Sequence, residues 1–210
     1  MESQFDIPAD LHTPVSAFLR LEPFAPRYLL ESVEAGHLGR YSFIGFGPTK
    51  TRSLSKRGSA GEAKTLTELR SALTESPSFG STAGQPFGGG LVGVAAFDLV
   101  RDLYRLPSAP HDSLFPSAAY MATESVLVFD HLSRRIALLH SGPEADHRSL
   151  KSEVKERLRG PLVTRPASDR HQRPSASMTK AQFESAVGEA KRHIEAGDVY
   201  QLVLSIKFTG

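Results

Sequence analysis

The 210-residue chain contains no cysteine and no tryptophan. The absence of cysteine excludes a disulfide-stapled scaffold, cysteine-ligated zinc and thiol catalysis, and it fits a reducing cytoplasmic setting. An excess of one charge is also missing. Lys and Arg number 25 against 23 Asp and Glu, a formal net charge of +2, which gives no electrostatic footprint for a nucleic-acid or acidic-polymer binder. Long apolar runs are lacking too. The longest, Leu91-Val92-Gly93-Val94-Ala95-Ala96-Phe97, falls far short of the roughly 20 residues of a membrane span. Met1-Glu2-Ser3-Gln4-Phe5-Asp6 has neither a basic n-region nor an apolar h-region, so no secretory signal is expected there. What is present, 40% hydrophobic and 23% charged residues, is the composition of a folded chain with length for one large domain or two small ones.

Along the chain, residues 14–21 alternate weakly and read as a half-buried strand. Residues 28–33 and 40–45 are apolar, aromatic and β-branched, and read as a hairpin around a loop holding Gly36 and Gly39. Lys50, Arg52, Lys56 and Arg57 alternate with Thr, Ser and Leu. They fit either a nucleic-acid patch or the solvated face of an edge strand, and the second is expected, since Lys and Arg commonly protect edges. Leu66, Leu69 and Leu73 have helical spacing, 77–87 is a Ser/Gly/Pro loop, and 90–97 reads as a buried strand followed by a short helix over 97–104. Residues 120–129 and 135–140 read as an antiparallel pair joined through Asp130-His131-Leu132-Ser133. Leu150, Val154 and Leu158 make a thin stripe on a charged helix, and a Pro- and Arg-rich linker follows.

The best-marked helix comes after that linker. Thr179 and Gln182 have capping-box spacing, Met178 and Phe183 are placed as a hydrophobic staple, and Phe183, Ala186, Val187, Ala190 and Ile194 form one stripe. Gly197 suits the position just past the helix end. Residues 199–208 read as a strand with Tyr200, Leu202, Leu204, Ile206 and Phe208 on one face and a mixed face that includes Gln201.

Chemistry is thinly marked. Gly88, Gly90 and Gly93 match G-x-G-x-x-G, but a loop precedes them and a strand follows, the reverse of a dinucleotide site. The expected role is close approach of two backbones. The eight histidines show no metal-ligand spacing and are expected mostly at the surface. No G-x-S-x-G elbow occurs. The acid pairs Glu31/Glu34 and Asp98/Asp102 fit capping or surface pairing better than catalysis. Residue pattern alone yields an α+β chain without an assigned purpose.

Three stretches add a resemblance. Tyr28-Leu29-Leu30-Glu31-Ser32-Val33-Glu34 with Gly39-Arg40-Tyr41-Ser42-Phe43-Ile44-Gly45, then Gly89-Gly90-Leu91-Val92-Gly93 through Phe97-Asp98-Leu99-Val100-Arg101, then Ile194-Glu195-Ala196-Gly197-Asp198-Val199-Tyr200-Gln201-Leu202-Val203-Leu204-Ser205 resemble, in order, segments of the anthranilate synthase component I family. Phe97 stands where that family usually has Tyr. The resemblance implies an α+β fold: an antiparallel-sheet regulatory N-terminal domain at 14–160, a linker at 161–177, and at 178–210 the first helix and strand of a truncated chorismate-binding α/β sandwich. It implies conversion of chorismate and ammonia or glutamine to anthranilate and pyruvate, with a glutamine amidotransferase subunit (component II) as partner, Mg2+ as cofactor and L-tryptophan as feedback inhibitor.

By the same resemblance Ser32, with Glu31 and Leu30, falls on the family's tryptophan-binding segment. A hydroxyl at a strand end can bond the ligand's ammonium or carboxylate while leucines face the indole. Read without the resemblance, Ser32 caps a turn before Gly36. Gln201 becomes a candidate for the active-site wall. In the related isochorismate synthases this position holds a Lys that activates water, whereas a Gln amide takes up no proton at neutral pH, so ammonia is the implied nucleophile. The family's Mg2+ ligands, chorismate contacts and second tryptophan-binding segment are expected beyond residue 210, so this piece alone is expected to be inactive. Aminodeoxychorismate synthase component I (folate pathway) and a non-catalytic amino-acid-binding module remain as alternatives.

Overall fold

A computed structural model of the chain describes residues 5–31, 39–54, 62–80, 86–100, 104, 116–162 and 173–209. They fall in two units, Met1–Thr164 and Arg165–Gly210. The first unit holds β1 (Phe5–Pro8), β2 (Tyr28–Leu30), β3 (Tyr41–Leu54), β4 (Val92–Ala95), β5 (Ala118–Asp130) and β6 (Arg135–His140). All pair antiparallel, in the order β1-β6-β5-β3-β2, with β4 attached to β5. The expected hairpin β2–β3 is present, with Tyr28 opposite Gly45 and Leu30 opposite Phe43. So is β5–β6, closed by the expected four-residue turn. The spine is β3 against β5, in register from Tyr41 opposite Asp130 to Leu54 opposite Ala118, with one bulge between Phe46 and Thr49.

Both faces of the sheet are buried at its centre, which is why 126–129 and 136–139 read as continuous apolar runs rather than alternating ones. Ile44, Phe46, Leu127, Phe129, Ile136 and Leu138 point to one face. This face is covered by α1 (Pro14–Arg20) and by α3 (Glu144–Arg159), whose expected stripe delivers Val154 and Leu158, both fully buried. Each large side chain buried this way contributes about 1.5–3 kcal/mol relative to exposure. Val126, Val128, Ala137 and Leu139 point to the other face. The intervening α2 (Glu62–Thr74) forms where Leu66, Leu69 and Leu73 place it.

Residues 14–20 are a helix, contrary to the strand their weak alternation predicts. A start signal overrides it. Ser16 N donates to Thr13 Oγ1 at 3.1 Å and Thr13 N donates to Ser16 Oγ at 3.0 Å, closing a capping box. Pro14 sits in the first turn, where its missing N–H costs nothing. Residues 90–97 are not a buried strand either. β4 is short and mostly exposed, with Val94 67% exposed, because among the described residues it pairs with β5 alone. The expected close approach is real there: a side chain on Gly93 would collide with the Ala119 carbonyl oxygen and with Tyr120 Cα. Beyond it, Phe97–Leu99 is a single 3-10 turn, and 101–103 lie outside the described residues. Lys50 and Arg52 occupy an exposed edge, as expected, where β3 runs past β2. Arg52 pairs with Glu75 at 2.8 Å. Lys56 and Arg57 lie outside the described residues.

In the second unit, α4 (Lys180–Glu195) begins as the sequence indicates. Thr179 N donates to Gln182 Oε1 at 2.8 Å and Gln182 N to Thr179 Oγ1 at 3.3 Å. It ends in a Schellman arrangement, with Gly197 N bonded to Ile194 O and Asp198 N to His193 O, and with Gly197 at φ +82°. His193 Nδ1 adds a 2.8 Å bond to Asp198. The strand expected over 199–208 does not form. Among the described residues the backbone partners shown for this segment sit at its end, where β7 (Ser175–Ala176) pairs with β8 (Phe208–Thr209) and Ser177 N donates to the Lys207 carbonyl at 2.8 Å. A strand is held by its neighbour's hydrogen bonds, so 199–207 stays irregular and Tyr200 is 95% exposed. No helix among the described residues is long and apolar enough to cross a membrane.

Candidate functional site

The motif Gly39-Arg40-Tyr41-Ser42-Phe43 opens β3, and its polar members latch that strand to the β5–β6 turn. Arg40 makes a bidentate pair with Asp130, Nε to Oδ1 at 2.9 Å and Nη2 to Oδ2 at 2.7 Å. Its guanidinium also sits 4.9 Å from the centre of the Tyr41 ring. Asp130 Oδ1 accepts from Leu132 N at 3.0 Å as well, fixing the turn. Led by the Arg40 bonds, and against the cost of burial, these donors hold the Asp130 carboxyl at a pKa of about 2. From the other side, Ser42 Oγ lies 2.7 Å from His131 Nε2, and His131 N donates to Arg40 O. Sequence reasoning found the motif but not Asp130 and His131 as its partners. They lie about ninety residues away, and no local spacing rule reaches that far.

Ser42–His131 and Ser125–His140, the latter at 3.0 Å, are the only serine–histidine pairs within bonding reach that the described residues show. Ser42 and Ser125 are 1% and 2% exposed within the sheet. Neither oxygen can meet a substrate, so both pairs serve the fold. Of the five described histidines, His131 and His193 are exposed, and His12, His140 and His147 are half-buried. The last two stack with centroids 6.5 Å apart, drawn in because His140 bonds Ser125 and His147 bonds the Leu138 carbonyl.

The second face of the sheet carries a strip of aromatic side chains. Phe5, Tyr41, Phe43, Phe87 and Phe79 follow one another across it at ring separations of 5.9–6.4 Å. Leu30 is in register with Phe43, so the two share that face at its β2 edge. Leu30 is 45% exposed and Glu31 next to it is exposed. Ser32 lies outside the described residues. Behind this edge, the Tyr28 ring covers Gly45 and its hydroxyl lies 3.3 Å from Thr123 Oγ1, with burial raising the phenol pKa. Any side chain on Gly45 would occupy the ring's place. The strip is apolar and aromatic, with neighbouring rings tilted by 33° to 57°, so an added aromatic ring could pack against a ring face or edge.

Gln201, the candidate from the second unit, is exposed in the irregular segment 199–207. Among the described residues no group of three or more His, Cys, Asp or Glu side chains gathers to hold a metal ion. The described residues therefore do not fit Mg2+.

The chain is 39% identical to a Thermus thermophilus protein named anthranilate synthase component 1, over 96% of this chain and 46% of that protein. It is 34% identical to the Streptomyces coelicolor protein of the same name, over 93% of this chain and 40% of that one. The crystal structure of anthranilate synthase component I from Streptococcus pneumoniae superposes with a TM-score of 0.53, at 22% identity over 94% of this chain and 47% of that one, a likeness of fold. The chain thus spans about half the length of the curated relatives it matches. A model for chorismate binding enzymes matches residues 25–210, and the chain belongs to that family.

Proposed function

We propose that this chain is the N-terminal part of an anthranilate synthase component I. The observation that carries the reading is the similarity, along nearly the whole chain, to proteins bearing that name. In this reading residues 14–160 form the regulatory domain, 161–177 the linker and 178–210 the start of the chorismate-binding domain. The complete cytoplasmic enzyme converts chorismate with ammonia, or with glutamine through a glutamine amidotransferase subunit (component II), into anthranilate and pyruvate, a carbon–oxygen lyase reaction that feeds tryptophan synthesis. Chorismate contacts and Mg2+ ligands come from the half of the relatives' length that this chain does not span, so the 210 residues alone are inactive.

L-Tryptophan, as feedback inhibitor, binds at the β2 edge. Ser32 bonds its polar end, Leu30 and the aromatic strip take the indole, and Glu31 faces the ammonium. The exposed, aromatic-flanked position of Leu30 supports this placement. Gln201 lines the active-site wall, where its amide orients groups by hydrogen bonds without taking a proton.

The test joins this chain to the remaining portion of the Thermus relative and follows anthranilate fluorescence with chorismate, Mg2+ and ammonium. The joined enzyme is expected to turn over, and the 210-residue chain alone is not. Ser32→Phe in the joined enzyme is expected to relieve tryptophan inhibition with turnover largely kept. Unchanged inhibition refutes the role of Ser32. A purified 210-residue chain that makes anthranilate refutes the division of labour.

A further inference from the structure

We propose that the first unit carries a separate ligand site, a cleft bordered by β1, α1 and α3, that takes a small organic anion bearing a phosphate or carboxylate next to a hydroxyl or ammonium group. The cleft has a volume of about 700 Å3, and Asp6, Asp10, His12, Arg20, Lys155 and Arg159 supply its polar wall. It lies on the side of the sheet that α1 and α3 cover, and it is independent of the function proposed above.

Among the described residues, three buried side-chain polar atoms have no hydrogen-bond partner: Asp6 Oδ1, His12 Nδ1 and Arg20 Nη1. All three belong to this one wall. Folded proteins keep few such atoms, and each carries a cost of about 1–3 kcal/mol. Three gathered around one cleft point to partners that arrive with a ligand.

The surrounding bonds show what kind. Asp6 Oδ2 is held by Lys151 at 2.9 Å and Lys155 at 3.2 Å. Burial opposes the Asp6 charge, but the two lysines outweigh it and keep its pKa below the ordinary value. Asp6 therefore stays ionised, and its free Oδ1 can only accept, which calls for a hydroxyl or ammonium. Arg20 spends Nε on the Gly160 carbonyl at 3.0 Å and has Nη1 left to donate. An arginine fork matches the planar oxygens of a carboxylate or the edge of a phosphate. Burial, with the nearby Arg20 charge, lowers the His12 pKa, so the ring is neutral at pH 7 and can present Nδ1–H to the same anion. Ile7 and Leu158 line the apolar part of the cleft, and its volume is larger than a bare ion needs, so an organic body belongs there.

The test titrates the 210-residue chain with glycerol 3-phosphate, with glycerate and with glycerol, reading the His12 ring resonances by NMR and the affinity by calorimetry. One or both anions are expected to bind with a Kd of about 1 mM or tighter and to raise the His12 pKa, since the bound charge offsets Arg20. Glycerol is expected to do neither. Preference for glycerol 3-phosphate assigns the phosphate class, and preference for glycerate the carboxylate class. Arg20→Lys, which keeps the charge but loses the fork, should weaken binding about tenfold. His12→Phe gives an independent loss if the arginine variant does not fold. If neither anion moves the His12 resonances at about 10 mM, or if both folded variants bind like the parent, the unpaired atoms are met by water alone and the proposal fails.

Discussion

Asp130→Asn tests the latch that joins β3 to the β5–β6 turn. Asparagine keeps an oxygen for Leu132 N and so keeps the turn, but it loses the paired carboxylate that Arg40 grips at 2.9 and 2.7 Å. The folded pKa of Asp130 is about 2 against an ordinary value of 3.8. A depression of that size corresponds to about 2 kcal/mol. Arg40 is 37% exposed, so solvent screening reduces the expected loss to about 1–2 kcal/mol. Because the folded pKa lies below the unfolded one, the contribution is fully present above the unfolded value. It declines as pH falls through about 4 and is lost near 2. Urea unfolding of parent and variant should therefore show the variant weaker by about 1–2 kcal/mol at pH 7, with the gap narrowing below about pH 4. A gap that stays constant down to about pH 3, or no gap at pH 7, would refute the assignment of the stabilisation to this ionised pair.

Gly93→Ala should push β4 off β5, because the new methyl meets the Ala119 carbonyl and Tyr120 backbone. Hydrogen exchange should then show lost protection at 92–95, with a stability loss of about 1–3 kcal/mol. Val154→Ala leaves a cavity in the core where α3 meets the sheet, and should lower unfolding free energy by about 2 kcal/mol in a denaturant titration. Thr179→Ala removes half of a capping box and should cost about 1 kcal/mol, seen as faster amide exchange in the first turn of α4. Ending the chain at residue 162 should raise solubility as measured by sedimentation, since Tyr200, Val203 and Phe208 are 95%, 83% and 62% exposed. Greater aggregation of the shortened chain would show that the second unit shields the first.

Legibility in the sequence followed the range of the forces involved. The helix at 180–195 could be read at both ends, because a capping box and a glycine in the left-handed region act within five residues. The β5–β6 hairpin, with four residues between its strands, was legible for the same reason, and β2–β3 from the apolar and aromatic runs on either side of residues 31–40. The alternation at 14–21 misleads because Thr13 and Pro14, a capping residue and a first-turn proline, start a helix there. The strand at 199–208 failed because the apolar alternation of a strand says nothing about whether a partner stands beside it. At the candidate site, Leu30 and Glu31 could be singled out only through a resemblance, and the aromatic strip that gives Leu30 its setting draws on Phe5, Tyr41, Phe43, Phe79 and Phe87. No window of sequence joins them.

The strand order has a consequence for how the protein is made. β1 is made long before β6, at 135–140, its partner strand among the described residues, and the helix that seals the same core ends at Arg159. At about 5–20 residues per second, roughly 8 to 30 seconds pass between the emergence of the first strand and that of the last core helix. Until Asp130 is made, β2 and β3 stand without the central strand β5. The nascent chain thus exposes apolar surface and unpaired strand edges by topology rather than by composition, and slowing translation ahead of β5 should lower the soluble yield more than an equal pause after Arg159.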